Sequence, residues 1–493
     1  MKKILVSIFI FILTLCCLNV LDTHATQAAE NSYLRIEGKN RVLTSVQVSK
    51  RGWPNGLEDN AKAVIIARSD IPADALSAAS LSGVKNIPIL LVNPNYDSIS
   101  SEVIGEIKRL GATKAYVLGS EKALSTRTIE YYLKYYGNVE IQRIAGTTRF
   151  ETAEKINEVA GTSTKTKAIL VNGDTIVDAL SAASEAAINK TPIYLTKKDR
   201  LPVQLPNTVK EVIIYGSENV VSKEIISQLT KQNKRVTRVE GPDRYSTNVA
   251  ALKASNIDFK NTILVRGTSV SQTNEEYPDA VTASGLANKL HARVVLTPPD
   301  NTNKTIKNYL SANRLPTYVL GASITLSNDV LQGYGYDALV TKSILSKESI
   351  SQGQLPLVNV HMGTYYKDVI SKLGDPNEIY GDNSSTPRMT YYYDSNSITV
   401  SFHDAEKLSR ISINQKRIRL TEADLIEALG KWDRSRYDDD FPGAHYVGYY
   451  MGDYRLGAII DTDSKKVTNL TMYLPGSYES FVYDTDFYNG ESY

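Results

Sequence analysis

Four short blocks recur three times in this chain in the same order, and no other feature limits its fold so strongly. The first block is Arg35-Ile36-x-Gly38-x-x-Arg41. It returns as Arg143-Ile144-x-Gly146-x-x-Arg149 and as Arg238-Val239-x-Gly241-x-x-Arg244. The second opens with Asp74-Ala75, Asp178-Ala179 and Asp279-Ala280 and continues in small residues, with Ser77, Ser181 and Thr282 at matching places. The third is an apolar run: Pro88 to Leu91, Pro192 to Leu195 and Arg293 to Leu296. The fourth sets Gly119, Gly216 and Gly321 six residues ahead of Ser125, Ser222 and Ser327. Such self-similarity is the signature of tandem units that bury surface against one another.

The order of elements within a unit follows from pattern. Ala63 to Ala67, Ala168 to Val171 and Thr262 to Val265 are almost wholly apolar and rich in β-branched residues, as in strands covered on both faces. The Asp-Ala block predicts a helix of small residues that packs close to a sheet. Val103 to Leu110 predicts a helix and Ala115 to Leu118 a strand, with Gly119 as the turn and Ser125 as the N-cap of a helix through Tyr131 to Lys134. Strands alternating with helices predict α/β units with mostly parallel sheets and right-handed crossovers.

Beyond residue 340 the character changes. Thr341 to Pro356 lacks periodicity and is expected to be a linker. Sixteen of the 31 tyrosines lie from Tyr365 to Tyr493. Asp368 to Gly374 parallels Asp424 to Gly430, and Lys407 to Ile413 parallels Lys466 to Met472. Each half reads as a helix followed by about three antiparallel strands, a small α+β domain with internal duplication. The expected organisation is a signal peptide at 1–29, repeats at 30–142, 143–237 and 238–340, a linker at 341–355, and a domain at 356–493 ending in an acidic, Tyr-rich tail.

The first residues have the order of a secretory signal: Lys2 and Lys3, an apolar run from Ile4 to Val20, then Ala25, Ala28 and Ala29. The competing reading is an uncleaved anchor, but the run is at the short end for a bilayer span of about 20 residues. Leu15 before Cys16 is not the small residue that lipidation needs. Both cysteines, Cys16 and Cys17, lie in this segment. The mature chain is therefore expected to hold no disulfide and no cysteine metal site or nucleophile. From Thr421 onward 6 Lys+Arg face 14 Asp+Glu, so the acidic excess gathers at the end and the remaining body is basic. A basic body suits an anionic polymer, although mixed surface charge explains single patches equally well.

Taken together, R-[IV]-x-G-x-x-R, D-A-[LV]-[ST]-A, P-I-[LY]-L and G-S-x-x-x-[LV]-S resemble the cell-wall-binding repeat type 2 family. The resemblance covers about residues 33 to 340. It implies a Toprim-like α/β fold, a pseudo-three-fold arrangement of the repeats, and non-covalent retention on the wall of Gram-positive bacteria through anionic wall polysaccharide. The implied setting is a secreted protein at the cell surface. The first copy departs at Val42-Leu43. The third departs at Arg293 and carries polar additions around Ser271 to Glu276, so the three copies are not expected to bind equally.

Candidate ligand residues follow from residue type and place. Arg35, Arg41, Arg143, Arg149, Arg238 and Arg244 suit phosphate or carboxylate, or else bridge packed units. Asp74, Asp178 and Asp279 either contact ligand or cap helices. Ser77, Ser181 and Thr282 fall in a first helical turn, where backbone N–H groups hold anions. Gly119, Gly216 and Gly321 lie at the carboxyl edge of strands, where α/β sheets bind ligands, or simply make turns.

A catalytic set is not assembled. His291, His361, His403 and His445 fall in no zinc-ligand spacing, and Asp438 to Asp440 lacks the spacing of a calcium loop. No catalytic residue, metal or cofactor is expected, and neither nucleic acid nor, after signal cleavage, a membrane. The expected role is anchoring, with the C-terminal domain displayed for a protein or glycan partner. The alternative is a wall hydrolase or hydrolase modifier of amidase type, active in the C-terminal domain. Tyr391 to Tyr393 and Tyr449-Tyr450 either stack on sugars or fill a small sheet.

Overall fold

The computed structural model describes residues 33–474, except 72, 176, 272–275, 300–301, 324, 337–338, 359, 374–375, 377, 382–388, 394–396, 404–405 and 438–442. The signal segment, Asp438 to Asp440 and the acidic tail lie outside the described residues. Among the described residues no helix is long and apolar enough to cross a membrane.

Among the described residues of the repeat body, twelve strands form three sheets. In chain order they are β1 (Tyr33–Ile36), β2 (Ala63–Arg68), β3 (Ile89–Val92), β4 (Lys114–Leu118), β5 (Glu140–Ile144) and β6 (Lys167–Asn172). Then come β7 (Ile193–Thr196), β8 (Glu211–Tyr215), β9 (Arg235–Val239), β10 (Asn261–Arg266), β11 (Ala292–Thr297) and β12 (Thr317–Leu320). The sheet orders are β3-β2-β4-β5, β7-β6-β8-β9 and β11-β10-β12-β1, and every pairing is parallel. The apolar runs explain this: β2, β6 and β10 are buried along nearly their whole length, so each sheet is covered on both faces.

The sheets do not coincide with the repeats as the sequence divides them. The strand that carries Arg143, β5, finishes the first sheet, and the strand that carries Arg238, β9, finishes the second. The third sheet is finished by β1, the strand with Arg35, which pairs Arg35 with Val319. The three units therefore close on themselves through one long-range pairing.

The small-residue helices meet at the centre. The Asp-Ala block is interrupted in the first two units, as helices Ala73–Ser77 and Ala79–Lys85, then Val177–Leu180 and Ala183–Ile188. In the third it is one continuous helix, Pro278–Leu290. Helices Ala79–Lys85, Ala183–Ile188 and Pro278–Leu290 touch pairwise. A Cβ on Gly83 would run into the carbonyl of Ala187, and one on Gly285 would sit 2.8 Å from Ser82 Oγ. Small residues are required because the helix backbones lie in contact. Buried hydrogen bonds join the units as well: Ser184 Oγ accepts from the Val294 N–H at 2.8 Å. One hydrophobic core runs from Ile36 through Ile65, Ile169 and Ile263 to Leu320.

The segment expected as a linker has structure of its own. Residues 342–344 form a 3₁₀ turn and Lys347–Ser351 a short helix, while Leu345, Ile350 and Leu355 are buried in the C-terminal core. These scattered apolar residues have no helical or strand period because each fills a separate gap. The helix expected after Ser125 is α-helical only over Thr126–Ile129 and then widens into a π-helix, Glu130–Tyr136.

Among the described residues, the C-terminal region forms an eight-stranded antiparallel sheet with its own core. Its strands are β13 (Glu378–Gly381), β14 (Met389–Tyr393), β15 (Ile398–His403), β16 (Lys407–Asn414), β17 (Arg434–Tyr437), β18 (Ala444–Met451), β19 (Tyr454–Asp461) and β20 (Val467–Tyr473). The order is β13-β14-β15-β16-β20-β19-β18-β17. Two runs of four strands thus meet along β16 and β20, each run preceded by a helix, Tyr366–Leu373 or Glu422–Leu429. The sequence pattern suggests three strands per run. The fourth is a short edge strand, β13 or β17, without an apolar alternation to reveal it. The sheet adjoins the third unit: Val340 N–H donates to the Arg417 carbonyl at 2.7 Å, and the Arg417 guanidinium lies 5.4 Å from the Tyr33 ring centre.

Candidate functional site

Each parallel sheet has one built-up carboxyl edge, assembled from two neighbouring units. The first block explains how the chain arrives there. Gly38, Gly146 and Gly241 donate their N–H groups to Thr44, Thr152 and Thr247 Oγ1 at 3.0–3.1 Å. Asn40, Thr148 and Asp243 cap the helices that begin at Arg41, Arg149 and Arg244. This fixes the first arginine of each block on a strand and the second at the start of a helix.

Arg35, Arg143 and Arg238 hold the turn after the third strand. Their Nη1 groups donate to the carbonyls of Gly321, Gly119 and Gly216 at 2.8, 2.8 and 2.6 Å. Their Nη2 groups donate to Leu326, Leu124 and Val221 at 3.0, 3.0 and 2.7 Å. The three glycines take φ of 91°, 86° and 104°, a left-handed conformation that favours glycine. They also face the aspartates. A Cβ at Gly119 would lie 2.7 Å from Asp74 Oδ2, one at Gly216 2.6 Å from Asp178 Oδ2, and one at Gly321 would strike Asp279 Oδ2.

The aspartates do not cap their helices. Asp74, Asp178 and Asp279 are each the second residue of a helix, and Tyr277 occupies the N-cap of Pro278–Leu290 with no side-chain cap bond. Their carboxylates turn into the space left by the absent glycine side chain. Burial pushes the Asp279 carboxyl up to about 6, opposed by the charges of Arg41, Arg266 and Arg35. Burial also raises Asp74, opposed by Arg149 and Arg68.

The second arginine of each block reaches the edge of the preceding unit. Helix Arg41–Gly52 packs on Pro278–Leu290, Arg149–Ala160 on Ala73–Ser77, and Arg244–Ala254 on Val177–Leu180. Each edge therefore combines Asp and Gly from one unit with two arginines from the next block in the ring: Asp74, Gly119, Arg143 and Arg149; Asp178, Gly216, Arg238 and Arg244; Asp279, Gly321, Arg35 and Arg41. Ser77, Ser181 and Thr282 sit beneath these edges and are buried, and Thr282 Oγ1 donates to the Asp279 carbonyl at 3.0 Å. Helices Ala73–Ser77 and Val177–Leu180 are short, and those hydroxyls face the interior.

The edges differ in charge. The last residue of the first strand is Arg68 in one unit, Asn172 in the next and Arg266 in the third. Sequence reasoning missed this position, although it lies six residues before Asp74 and six before Asp178. Arg68 pairs with Asp70 at 2.6 Å. Asn172 Nδ2 donates to the Val220 carbonyl at 2.7 Å. In the third unit Glu276, from the polar addition, pairs with Arg41 at 2.5 Å. Arg149 is exposed and donates to the Gly173 carbonyl at 2.7 Å, while Arg244 reaches the Gly267 carbonyl and the Tyr277 hydroxyl at 3.0 and 3.2 Å.

Comparison with known proteins gives the same three units. The family described as cell wall binding domain 2 (CWB2) matches residues 35–130, 143–226 and 238–331, more than half of the chain. N-acetylmuramoyl-L-alanine amidase LytC of Bacillus subtilis (strain 168) is 27% identical over 317 residues, 63% of this chain and 60% of that protein. The amidase enhancer of the same strain is 28% identical over 328 residues, 66% of this chain and 43% of that protein. The chain thus spans less than two thirds of either relative. Among solved structures, Cwp8 from Clostridium difficile superposes with a TM-score of 0.55 at 26% identity, over 65% of this chain and 54% of that one. Cwp6 from the same organism gives 0.54 at 27% identity, over 62% and 47%. With three matched copies, each built on the same sheet and the same Asp-Gly-Arg edge, the chain belongs to the cell wall binding domain 2 family.

Proposed function

We propose that the protein is exported and held non-covalently on a Gram-positive cell wall by anionic wall polysaccharide, which the three inter-unit edges contact together. The family assignment carries wall binding, and its units are non-catalytic. The observation that supports the edges is their composition from two units each. Ligand contact there would read the assembled ring rather than a lone repeat. In this reading the three units form Toprim-like repeats in a pseudo-three-fold arrangement closed by β1. Arg41, Arg149 and Arg244 supply charge to the polymer. Arg35, Arg143, Arg238, the aspartates and the glycines shape the edge, and Ser77, Ser181 and Thr282 support it from below. Arg149 contributes most, because Arg41 is shared with Glu276.

The C-terminal sheet, a duplicated α+β domain in this reading, is displayed at the surface, and the whole chain acts as an anchor rather than an enzyme. The test is sedimentation of the full chain with purified wall sacculi, before and after removal of the secondary polymer. The chain is expected to sediment only with complete walls, and less as salt rises. Equal sedimentation with stripped walls would refute the polymer as ligand.

A further inference from the structure

The helix after Ser125 departs from its two counterparts. It is α-helical over Thr126–Ile129 and a π-helix over Glu130–Tyr136. Gly137 N–H donates to the Tyr132 carbonyl, five residues back, at 3.0 Å. Glycine permits this turn, since a Cβ at Gly137 would lie 2.6 Å from the Leu133 carbonyl oxygen. Bonds of this span bring residues four and five apart onto one face, so Tyr131 stands with Tyr135 and Tyr136. Ile129 and Leu133 are buried and anchor the segment, and Tyr132 packs against the core. The other three tyrosines stand in solvent, with relative exposures of 52% for Tyr131, 76% for Tyr135 and 44% for Tyr136.

These rings form a corner. Tyr131 and Tyr135 are parallel within 2°, with ring centres 6.2 Å apart. Tyr136 crosses both, at 79° to Tyr131 and 81° to Tyr135. The Tyr131 and Tyr136 hydroxyls share a hydrogen bond of 3.2 Å, which ties the two orientations together. The repeats supply an internal control. Helices Lys223–Lys231 and Asn328–Gly333 follow the matching Ser222 and Ser327, are α-helical, and expose no large apolar side chain among the described residues. The fold therefore does not require the corner, and water disfavours a cluster of exposed rings.

We propose that the corner is a stacking platform for neutral pyranose rings of the wall polysaccharide whose charged groups the adjoining edge holds. The platform is continuous with that edge. Arg143 Nη2 donates to the Leu124 carbonyl at 3.0 Å and to Thr126 Oγ1 at 3.4 Å, at the start of the same helix. Tyr131 and Tyr135 lie about 8 and about 14 Å further along its axis, a span that one glycan chain covers. Phenol rings offer rigid flat faces to the C–H face of a sugar, with a hydroxyl at the rim for its hydroxyls. Exposed Arg127, Glu130 and Lys134 place both signs of charge around the rings, which suits a neutral ligand. The proposal rests on the wall-anchoring reading for the polymer.

The test is sedimentation of the full chain with complete walls at low salt and at about 1 M salt, where the screening length falls to about 3 Å and charged contacts fade. Stacking on neutral rings persists there. At the higher salt Tyr131→Ala with Tyr135→Ala is expected to raise the Kd for walls about tenfold, with an unchanged melting temperature. Tyr131→Phe with Tyr135→Phe keeps the rings and is expected to bind as the parent does. Tyr135→Ala alone, at the most exposed ring, is expected to raise the Kd severalfold and serves if the pair disturbs the π-helix. Equal affinity of the folded alanine variants and the parent at high salt overturns the proposal. So does an equal loss in the phenylalanine pair, since the hydroxyls and not the ring faces would then make the contact. Without walls, parent and alanine pair are expected to sediment as the same species. A parent dimer that the alanine pair dissolves would give the corner to a second copy and overturn the proposal too. Binding of the parent at low salt alone refutes the platform and leaves the edges standing. A parent chain that binds walls in neither condition overturns both readings.

Discussion

The repeat body and the C-terminal sheet solve the same problem in opposite ways. In the body, parallel strands are covered on both faces, so no face is left for a ligand and polar chemistry collects at the carboxyl edges. In the C-terminal region, antiparallel strands bury one face and leave the other, with its arginines and tyrosines, half-buried. The contrast predicts how each region responds to change. Edge residues in the body also hold backbone together, and their loss costs stability. Residues on the half-buried face of the C-terminal sheet hold side chains rather than backbone, and their loss costs less.

The largest effect should fall at the centre of the body. Gly83→Val forces a side chain against the Ala187 carbonyl and is expected to cost about 4 kcal/mol in urea unfolding. A value near zero would show that the three helices do not meet there. Next comes pH. The Asp279 carboxyl is pushed up to about 6 in the fold, against about 4 when unfolded. Its protonated form therefore favours the fold. That contribution is complete below about pH 4 and is lost as pH rises through about 6, amounting to about 3 kcal/mol. Subtracting the unfolding free energy of Asp279→Asn from that of the parent, between pH 4 and 7, should isolate this slope. A flat difference contradicts the buried edge.

Arg143→Ala ranks third. It removes hydrogen bonds to the Gly119 and Leu124 carbonyls and should cost about 2 to 3 kcal/mol. Arg434→Gln, on the half-buried C-terminal face, ranks last, at about 0.5 to 1 kcal/mol in the same assay, the scale of its contact with the Tyr450 ring. If the two arginine variants were equally destabilising, the distinction between edge and face would fail.

Much of the body was legible because each motif residue fixes one backbone feature. Gly38 and Thr44, six residues apart, bond to each other, so the pattern survives in sequence. The limits of the sheets were not legible. Whether β5 closes its own unit or the one before depends on a pairing partner distant in sequence, and for β1 that partner is Thr317–Leu320. Of the two readings of the aspartates, capping fails: Asp near a helix start usually caps, whereas here the missing Cβ of a distant glycine leaves room for the carboxylate to turn inward. In the C-terminal sheet the tyrosines separate by register. Tyr391, Tyr393 and Tyr449 are buried, while Tyr450 lies on the opposite, half-buried face. Alternation alone shows that neighbouring tyrosines face opposite ways, not which way is in.

The central claim is that the edges between units hold the wall polymer, and one measurement addresses it directly. Full-length protein carrying Arg41→Gln, Arg149→Gln and Arg244→Gln should be compared with the parent for sedimentation on complete walls at low salt, with melting temperature as the control for folding. The account predicts at least a tenfold loss of wall affinity, with Arg149→Gln alone giving the largest share. A folded triple variant that binds walls as tightly as the parent would contradict it.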